Sequence, residues 1–198
     1  AVITVMTVFS AVGSNPLVPT EKGVKLEYGS YDKKGKVTGY TIQTVKDITE
    51  KNGETHIDMA IEALDENKKP IKDAPEMTLT YIISKGSVIL DMEAMFKTMI
   101  PQQAGMDVKI MVEGSSISYP AIMSVGASLP DTDLAVSMEM MGRTMKVTDI
   151  KNYNRKVEAR ESVTVEAGTF DAYKVTETTE TKAMVGGAQI NVSTSWFV

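Results

Sequence analysis

The chain of 198 residues contains no cysteine and a single histidine, His56. The absence of cysteine excludes disulfide bonds, thiolate-ligated zinc and thiol nucleophiles. One chain with one imidazole cannot build a metal site that needs two or more histidines, and a Ser-His-acid triad would have to use His56. Because His56 lies on the polar face of a predicted strand, we expect its side chain to be solvated. We therefore expect neither a metal site nor a cofactor.

The chain also lacks an excess of positive charge. It has 21 Lys and Arg against 26 Asp and Glu, a formal net charge of -5 and a pI near 5.0. Nucleic-acid binding needs clustered basic residues, so nucleic acid is excluded as an expected partner. The basic segment 154–160 is interrupted by Glu158 and followed by Glu161, which predicts a mixed-charge strand surface.

Motifs of catalysis are missing as well. The sequence has no glycine-rich phosphate loop, and the segment 126–130 lacks the second glycine of a G-x-S-x-G elbow. Asp131 and Asp133 form a D-x-D pair that could bind calcium or act as acid and base. No EF-type loop surrounds the pair, so turn capping is its expected role. The sequence therefore predicts no catalytic residues and a protein that is not an enzyme.

The apolar run at the start, AVITVMTVFSAVGS, is shorter than the ~20 residues that a membrane-spanning helix needs. It ends in small residues that fit a signal-peptidase site, which predicts a truncated export signal over residues 1–13. The Val, Ile and Thr residues of the run leave a buried first strand as the alternative. Residues 14–198 are predicted to form a single β-rich domain.

What the sequence does contain is a succession of short strands separated by turn residues. Gly35 and the segment EKNG at 50–53 each predict a hairpin loop. Ile57, Met59 and Ile61 alternate with other residues, as in a strand with one buried face. The predicted fold class is therefore mainly β, with a single antiparallel, strongly curved sheet or a half-open β-barrel.

Two further hairpins and one long connection are predicted in the second half of the chain. Gly142-Arg143 and Gly186-Gly187 each separate two runs of strand-forming residues, which is typical of tight hairpins. The segment SYPAIMSVGASLPD at 118–131 has two prolines and a glycine, which indicates an irregular connection that crosses the molecule.

One segment, DMEAMFKTMIP at 91–101, has the periodicity of a helix instead. Its apolar residues recur at i, i+3, i+4, i+7 and i+8, which predicts a helix over about residues 91–100. Asp91 is the expected N-cap and Pro101 the expected stop. A helix this short is not stable alone in water, so its apolar face is expected to dock on the sheet or in its concavity.

The chain is rich in methionine, with 14 residues. Flexible, polarisable thioether side chains suit pockets for apolar ligands, although ordinary core filling explains the same composition. Under the pocket hypothesis, the candidate ligand-pocket residues are Met92, Met95, Phe96, Met99, Met138 and Met140.

The stretch VTVEAGTFDAYKV at 163–175 contains a structural motif made of Ala167, Gly168, Thr169 and Phe170. In one unbroken strand Phe170 and Tyr173 would point to opposite faces. Gly168 allows the chain to turn or bulge, and Phe170 would then bury its ring at the corner. A ligand contact by Phe170 is the alternative interpretation.

Three stretches together resemble the TapB-like family of exported Gram-negative envelope proteins. They are GVKLEYGSYDKKGKVTGY, PAIMSVGASLPD and NRKVEARESVTVEAGTFDAYKV, followed by the final TSWFV. The resemblance covers residues 15–198, and it extends to related domains of unknown function with an AGTF-type motif. It implies a β-rich envelope protein in the periplasm, or associated with the outer membrane or cell surface, without established catalytic residues. Because the family continues into one more strand, a missing C-terminal strand and an unpaired edge are also expected.

Three classes of function stay open at this point. The first is a non-catalytic envelope protein that shelters an apolar small molecule or lipid. The second is a structural or interaction module that binds an envelope protein partner through an open sheet edge. The third, and the weakest, is a hydrolase that uses carboxylates such as Asp131 and Asp133.

Overall fold

The structure is a computed structural model that describes residues 3–7, 17–32, 34–72, 74, 77–99, 108–165, 167–184 and 187–198. These residues form twelve β-strands and one α-helix. In chain order they are β1 (Ile3–Thr7), β2 (Lys25–Tyr31), β3 (Val37–Lys51), β4 (Glu54–Leu64), β5 (Met77–Ser84), β6 (Ser87–Leu90), α1 (Met92–Met99), β7 (Val108–Gly114), β8 (Ser118–Pro120), β9 (Thr132–Met140), β10 (Arg143–Val165), β11 (Gly168–Ala183) and β12 (Ala188–Phe197).

The strands are divided between two antiparallel sheets. Sheet A has the order β1-β2-β3-β4-β5-β6-β8 and curls into a half-barrel, and sheet B has the order β12-β11-β10-β9-β7. The predicted class, mainly β with a curved antiparallel sheet and one short helix, is confirmed. The division into two sheets was not visible in the sequence, because alternating patterns identify strands without saying which strands are neighbours.

Tight turns connect most neighbouring strands. Asn52 and Gly53, between β3 and β4, both have positive φ, as a type I′ hairpin turn requires. The predicted loop Gly142-Arg143 is wrong by one residue, since Met141 and Gly142 have positive φ and Arg143 already pairs with Met140. The other predicted two-glycine loop falls partly on position 186, outside the described residues.

The curvature of the sheets coincides with β-bulges. The register shifts once between β3 and β4, once between β9 and β10, and twice between β10 and β11. Each extra residue bends its strand and increases the local twist. The strand β10, which has 23 residues and three of these shifts, can therefore bend along its length while it stays paired.

The helix α1 begins after Asp91, whose carboxylate Oδ1 accepts a hydrogen bond from the Ala94 N–H at 3.0 Å. This confirms the predicted N-cap, whereas the predicted stop at position 101 lies outside the described residues. The helix packs on β5 and β7. Its apolar face belongs to a hydrophobic cluster with sheet B, formed by Met92, Met95, Phe96, Ile110, Leu134, Val136 and neighbouring side chains. The predicted docking on a sheet is thus confirmed.

The connection after β8 carries the chain from sheet A to sheet B, as predicted, whereas residues 118–120 of the predicted irregular segment 118–131 form the strand β8. Its Met123 and Leu129 are buried against Val157 and Val175 of sheet B. Backbone hydrogen bonds fix the same segment to β10, with Leu129 N donating to Arg155 O at 2.9 Å. The connection is therefore fixed against sheet B by both packing and backbone hydrogen bonds.

At the other side, β1 lies at the edge of sheet A and pairs with β2, from Ile3 opposite Tyr31 to Thr7 opposite Glu27. Strand β12 is an edge of sheet B and contacts β1 without pairing with it. The export signal over residues 1–13 stays a prediction.

Replacing Asp91 tests its role as the N-cap of α1. We expect Asp91→Ala to lower the free energy of unfolding by about 1 kcal/mol, because the Ala94 N–H loses its acceptor. Asp91→Asn is the matched control and should retain most of the stability, since asparagine caps equally well. Urea denaturation measures both variants, and an equal loss in both would contradict the capping role.

Candidate functional site

A cavity of about 390 Å³ lies between sheet A and sheet B. This volume falls within the roughly 300–1,000 Å³ of small-molecule sites. Its lining comes from β2, β5, β6 and β8 on one side, from β10, β11 and β12 on the other, and from the segment before β2. The aliphatic part of the lining consists of Leu17, Val18, Val88, Leu90, Ile117 and Ile150.

Tyrosines add to the wall that sheet A contributes. Tyr28 of β2 and Tyr81 of β5 both line the cavity. Burial raises the pKa of Tyr28 above its usual value of 10.0, and the nearby Tyr81 raises it further. Burial also raises the pKa of Tyr81. Both phenols are therefore neutral at physiological pH, and this wall carries no charge from them.

The opposite wall is shaped by a β-bulge near the middle of β10. The register sets two residues of β10, Asn154 and Arg155, opposite a single residue of β11, Glu177. Asn154 has a φ of 54°, a left-handed conformation that asparagine adopts more readily than most residues. The extra residue shifts the alternation of the strand by one, so Asn152 is buried before the bulge and Arg155 after it.

Arg155 has a fully buried side chain that contacts three separate elements. Its Nε donates to Glu177 Oε2 at 3.1 Å, its Nη1 to Pro130 O at 2.6 Å and its Nη2 to Ser118 O at 3.0 Å. Ser118 begins β8 of sheet A, and Pro130 lies near the end of the connection between the sheets. One guanidinium of sheet B therefore fixes the segment that joins the two sheets.

Tyr119 of β8 completes this polar cluster from the side of sheet A. Its hydroxyl donates to Glu177 Oε2 at 3.2 Å, and the Arg155 guanidinium lies 4.7 Å from its ring centroid. Burial, helped by the Glu177 carboxylate, raises the pKa of Tyr119 to about 12. The ring also lies 4.8 Å from that of Phe197. Tyr119, Glu177 and Phe197 line the cavity, so its polar end is held rigidly.

Two polar atoms near this end have no hydrogen-bond partner among the described residues. They are Asn152 Oδ1 and Thr132 Oγ1, which belong to residues paired across β10 and β9. Both residues are 3% exposed, and only Asn152 lines the cavity. A buried polar atom without a partner costs free energy. Both oxygen atoms are almost completely shielded by the protein, so neither is accessible from the cavity.

The family of the chain is decided by a match to the family model described as DUF3108-like, which covers residues 21–198. The chain belongs to the DUF3108-like family. A search of curated proteins finds no match.

Two solved structures are similar to this DUF3108-like chain. One is described as an exported protein with a YmcC-like fold from Bacteroides fragilis NCTC 9343, with 18% identity, a TM-score of 0.63, and coverage of 93% of this chain and 86% of that chain. The other is described as a lipoprotein from Parabacteroides distasonis ATCC 8503, with 15% identity, a TM-score of 0.64, and coverage of 92% and 86%. At these identities the likeness shows the fold alone.

The methionine candidates of this DUF3108-like chain lie beside the cavity. Met92, Met95, Phe96 and Met138 pack in the cluster between α1 and sheet B. None of them is among the cavity-lining residues, and Met140 is half-buried near the end of β9. The side chain of Met99 lies outside the described part of the chain. Two lining residues, Leu90 and Ile150, pack against the same cluster, so the methionines support one wall.

The sequence interpretation missed the charged residues of the site. The mixed-charge surface predicted for 154–160 is wrong for Arg155, which is buried, and right for the exposed Lys156, Glu158 and Arg160. The missed signal was Asn154, since an asparagine inside a strand can mark a bulge that reverses the alternation.

The remaining sequence candidates lie elsewhere. Asp133 lies within β9, where Oδ2 pairs with Lys151 Nζ at 3.0 Å, so the predicted turn capping is wrong for it; Asp131 is exposed. The side chain of His56 is 20% exposed, with Nε2 at 3.8 Å from Glu54 Oε2, and it is less solvated than predicted. Among the described residues no cluster of acidic or histidine side chains could hold a metal ion, and no helix is long and apolar enough to cross a membrane.

The AGTF motif forms the end of the β10–β11 hairpin. Val165 pairs with Gly168, and Val163 with Phe170, so Ala167 lies in the turn and Thr169 in β11. Gly168 has a φ of 139°, which strains other residues. The Phe170 ring lies 3.7 Å from the position that a Cβ on Gly168 would occupy, so the ring covers the glycine. The predicted turn agrees with this geometry, whereas the Phe170 ring is half-buried and not buried as predicted; Phe170 does not line the cavity.

Breaking the buried ion pair between Arg155 and Glu177 should have a large effect on stability. We expect Glu177→Ala to lower the free energy of unfolding by about 3–5 kcal/mol, because Arg155 would stay buried without its counter-charge. Glu158→Ala is the control, since it removes an exposed partner of Lys156, and it should leave the stability nearly unchanged because exposed ion pairs are screened by solvent. Equal losses in urea denaturation would contradict the role assigned to Glu177.

The raised pKa of Tyr119 predicts that the protein loses stability at alkaline pH. Its pKa is about 12 in the folded protein, above the ordinary 10.0, so the folded state holds the phenol proton more tightly. The resulting stability is complete below pH 10 and is lost as the pH rises toward 12. Tyr119→Phe should therefore reduce the fall in stability over this range. Ultraviolet titration of the two proteins checks the assignment, and a difference spectrum with a midpoint near pH 10 would refute it.

Proposed function

We propose that this protein is a non-catalytic, exported binding protein that holds a largely apolar small molecule or lipid between its two sheets. The observation that carries the proposal is the cavity of about 390 Å³ with aliphatic and aromatic walls. Apolar walls with a few placed polar groups are typical of ligand sites. The site proposed here differs from the methionine-lined concavity that the sequence suggested, because the methionines support the cavity wall from behind.

The polar end of the cavity supports binding over catalysis. Glu177 already accepts hydrogen bonds from Arg155 and Tyr119, so its carboxylate is occupied in positioning these side chains. The raised pKa values of Tyr28 and Tyr81 keep both phenols protonated at neutral pH, which makes them poor general bases. The exposed pair Asp131 and Asp133 does not line this cavity.

Export is proposed from two observations. The structural neighbours are described as an exported protein and a lipoprotein, and the apolar run over residues 1–13 has the features of an export signal. These observations support export, and we propose that the protein lies in the periplasm, or is associated with the outer membrane or cell surface, of a Gram-negative bacterium. The TapB-like resemblance supports the same compartment.

A second candidate function is binding of an envelope protein through β12. This strand is an edge of sheet B and has ten residues. Ile190 and Val192 on it are 65% and 64% exposed, which is unusual for large aliphatic side chains on an edge strand. A partner that adds a strand would pair with the open edge and cover these side chains.

Filling the cavity separates the two candidates. N-phenyl-1-naphthylamine, a neutral fluorescent probe, should bind the wild-type protein, and Ser195→Trp should weaken this binding at least about tenfold because the indole occupies the cavity. Thr194→Trp is the matched control, since Thr194 is the preceding residue of β12 and does not line the cavity. Circular dichroism confirms that both variants are folded.

Native mass spectrometry of protein purified from the bacterial envelope supplies the second readout. A lipid-sized mass bound to the wild-type protein and to Thr194→Trp, and missing from Ser195→Trp, would support the proposed function. Equal probe binding by all three proteins would refute it. A bound protein mass that Ser195→Trp retains would favour the β12 candidate.

A further inference from the structure

Five uncharged side chains of the cavity lining have hydrogen-bond donors that no protein group uses. On the side of sheet B they are the Asn152 amide and the hydroxyls of Thr179 and Ser195, and on the side of sheet A the hydroxyls of Tyr28 and Tyr81. Among the described residues, none of these donors has a protein acceptor. A ligand that fills the cavity therefore gains most if it brings an acceptor.

Two of these donors are neighbours on the face of sheet B that lines the cavity. Asn152 of β10 and Thr179 of β11 lie directly opposite each other in the strand register. The Cβ atoms of such a pair are about 4.5–5.5 Å apart, so both side chains can reach the same ligand atom. Oδ1 of Asn152 is shielded by the protein, so Nδ2 is the amide atom that can contact a molecule in the cavity. Both donors can therefore converge on one acceptor.

The charges around the cavity favour an uncharged acceptor. Among the described residues, no Lys, Arg or His lines the cavity, and the one charged lining residue is Glu177. Its carboxylate is compensated by Arg155, with Nε at 3.1 Å from Oε2, and it accepts from the Tyr119 hydroxyl at 3.2 Å. A ligand carboxylate would lie in an apolar space beside Glu177 without a counter-charge, and a ligand ammonium would approach a carboxylate that is already paired.

On the basis of the proposed function, we propose that the ligand is an uncharged acyl lipid, such as a fatty acyl ester, whose carbonyl oxygen accepts hydrogen bonds from Asn152 Nδ2 and the Thr179 hydroxyl. A carbonyl oxygen has two lone pairs, so it can accept from both donors. The acyl chain then lies against the aliphatic wall that includes Val88, Leu90 and Ile150. Asn152 and Thr179 are thus specificity-determining residues for the carbonyl group.

Methyl decanoate, a small acyl ester, is the probe for the carbonyl group. It should displace N-phenyl-1-naphthylamine from the wild-type protein. Decanoate at neutral pH should bind about tenfold more weakly, because its carboxylate finds no counter-charge in the cavity. The infrared carbonyl stretching band of the bound ester should lie at a lower wavenumber than that of the ester in an alkane, because hydrogen bonds weaken the carbonyl bond.

Thr179→Val removes one donor with little change in side-chain volume. This variant should bind the ester about fivefold more weakly, which corresponds to one buried hydrogen bond, and the carbonyl band should move part of the way back toward its position in an alkane. Asn152→Leu should have the same two effects through the other donor. Thr176→Val is the matched control, since Thr176 lies on the same strand outside the cavity lining, with its hydroxyl donating to Glu158 Oε1 at 3.3 Å. It should bind the ester like the wild-type protein, and circular dichroism checks that all variants are folded.

The outcomes separate the carbonyl assignment from the proposed function. If the naphthylamine binds but the ester does not displace it, or if the ester binds wild-type protein, Thr179→Val and Asn152→Leu equally with the carbonyl band at its alkane position, the assignment is overturned while the cavity stays a binding site. Tighter binding of decanoate than of its methyl ester would also overturn it. If the naphthylamine itself does not bind, both proposals are wrong.

Discussion

The structure depends on one buried charge, the guanidinium of Arg155. Its partners are the Glu177 carboxylate in sheet B and the carbonyl oxygens of Ser118 and Pro130 on the segment between the sheets. A buried ion pair contributes little net stability, because both charges lose their hydration. Arg155 acts instead by fixing geometry, because its directional N–H groups hold three chain segments relative to one another. The bulge at Asn154 is what brings this side chain inside.

The cavity follows from the same constraint. The two sheets are held at a fixed spacing at the Arg155 end, and α1 fills the space between sheet B and β5 beside it. Between these two contacts lies the cavity, which is bounded by tyrosines and aliphatic residues. The fold therefore combines a solid cluster around α1 with an open volume next to it, and the methionines belong to the solid part.

The fold was predicted well from the sequence, and the site was not. Alternation, turn glycines and the spacing of Met92, Met95 and Phe96 depend on local physics, so the β class, the helix and its N-cap could be inferred. The cavity depends on which strands face each other, and the pairing of Arg155 with Glu177 joins residues 22 positions apart. A single bulge reversed the alternation that the strand pattern assumed, so a charge expected at the surface became a buried anchor beside the cavity.

The two sheets meet in different ways at the two edges of sheet A. At the Arg155 end the gap is sealed, because parting the sheets there would strand a guanidinium in a medium that cannot solvate it. On the opposite side, β1 and β12 adjoin without a hydrogen-bonded ladder between them. Separating these two strands breaks no backbone pairing, so parting the two sheets costs less free energy on the β1–β12 side than at Arg155.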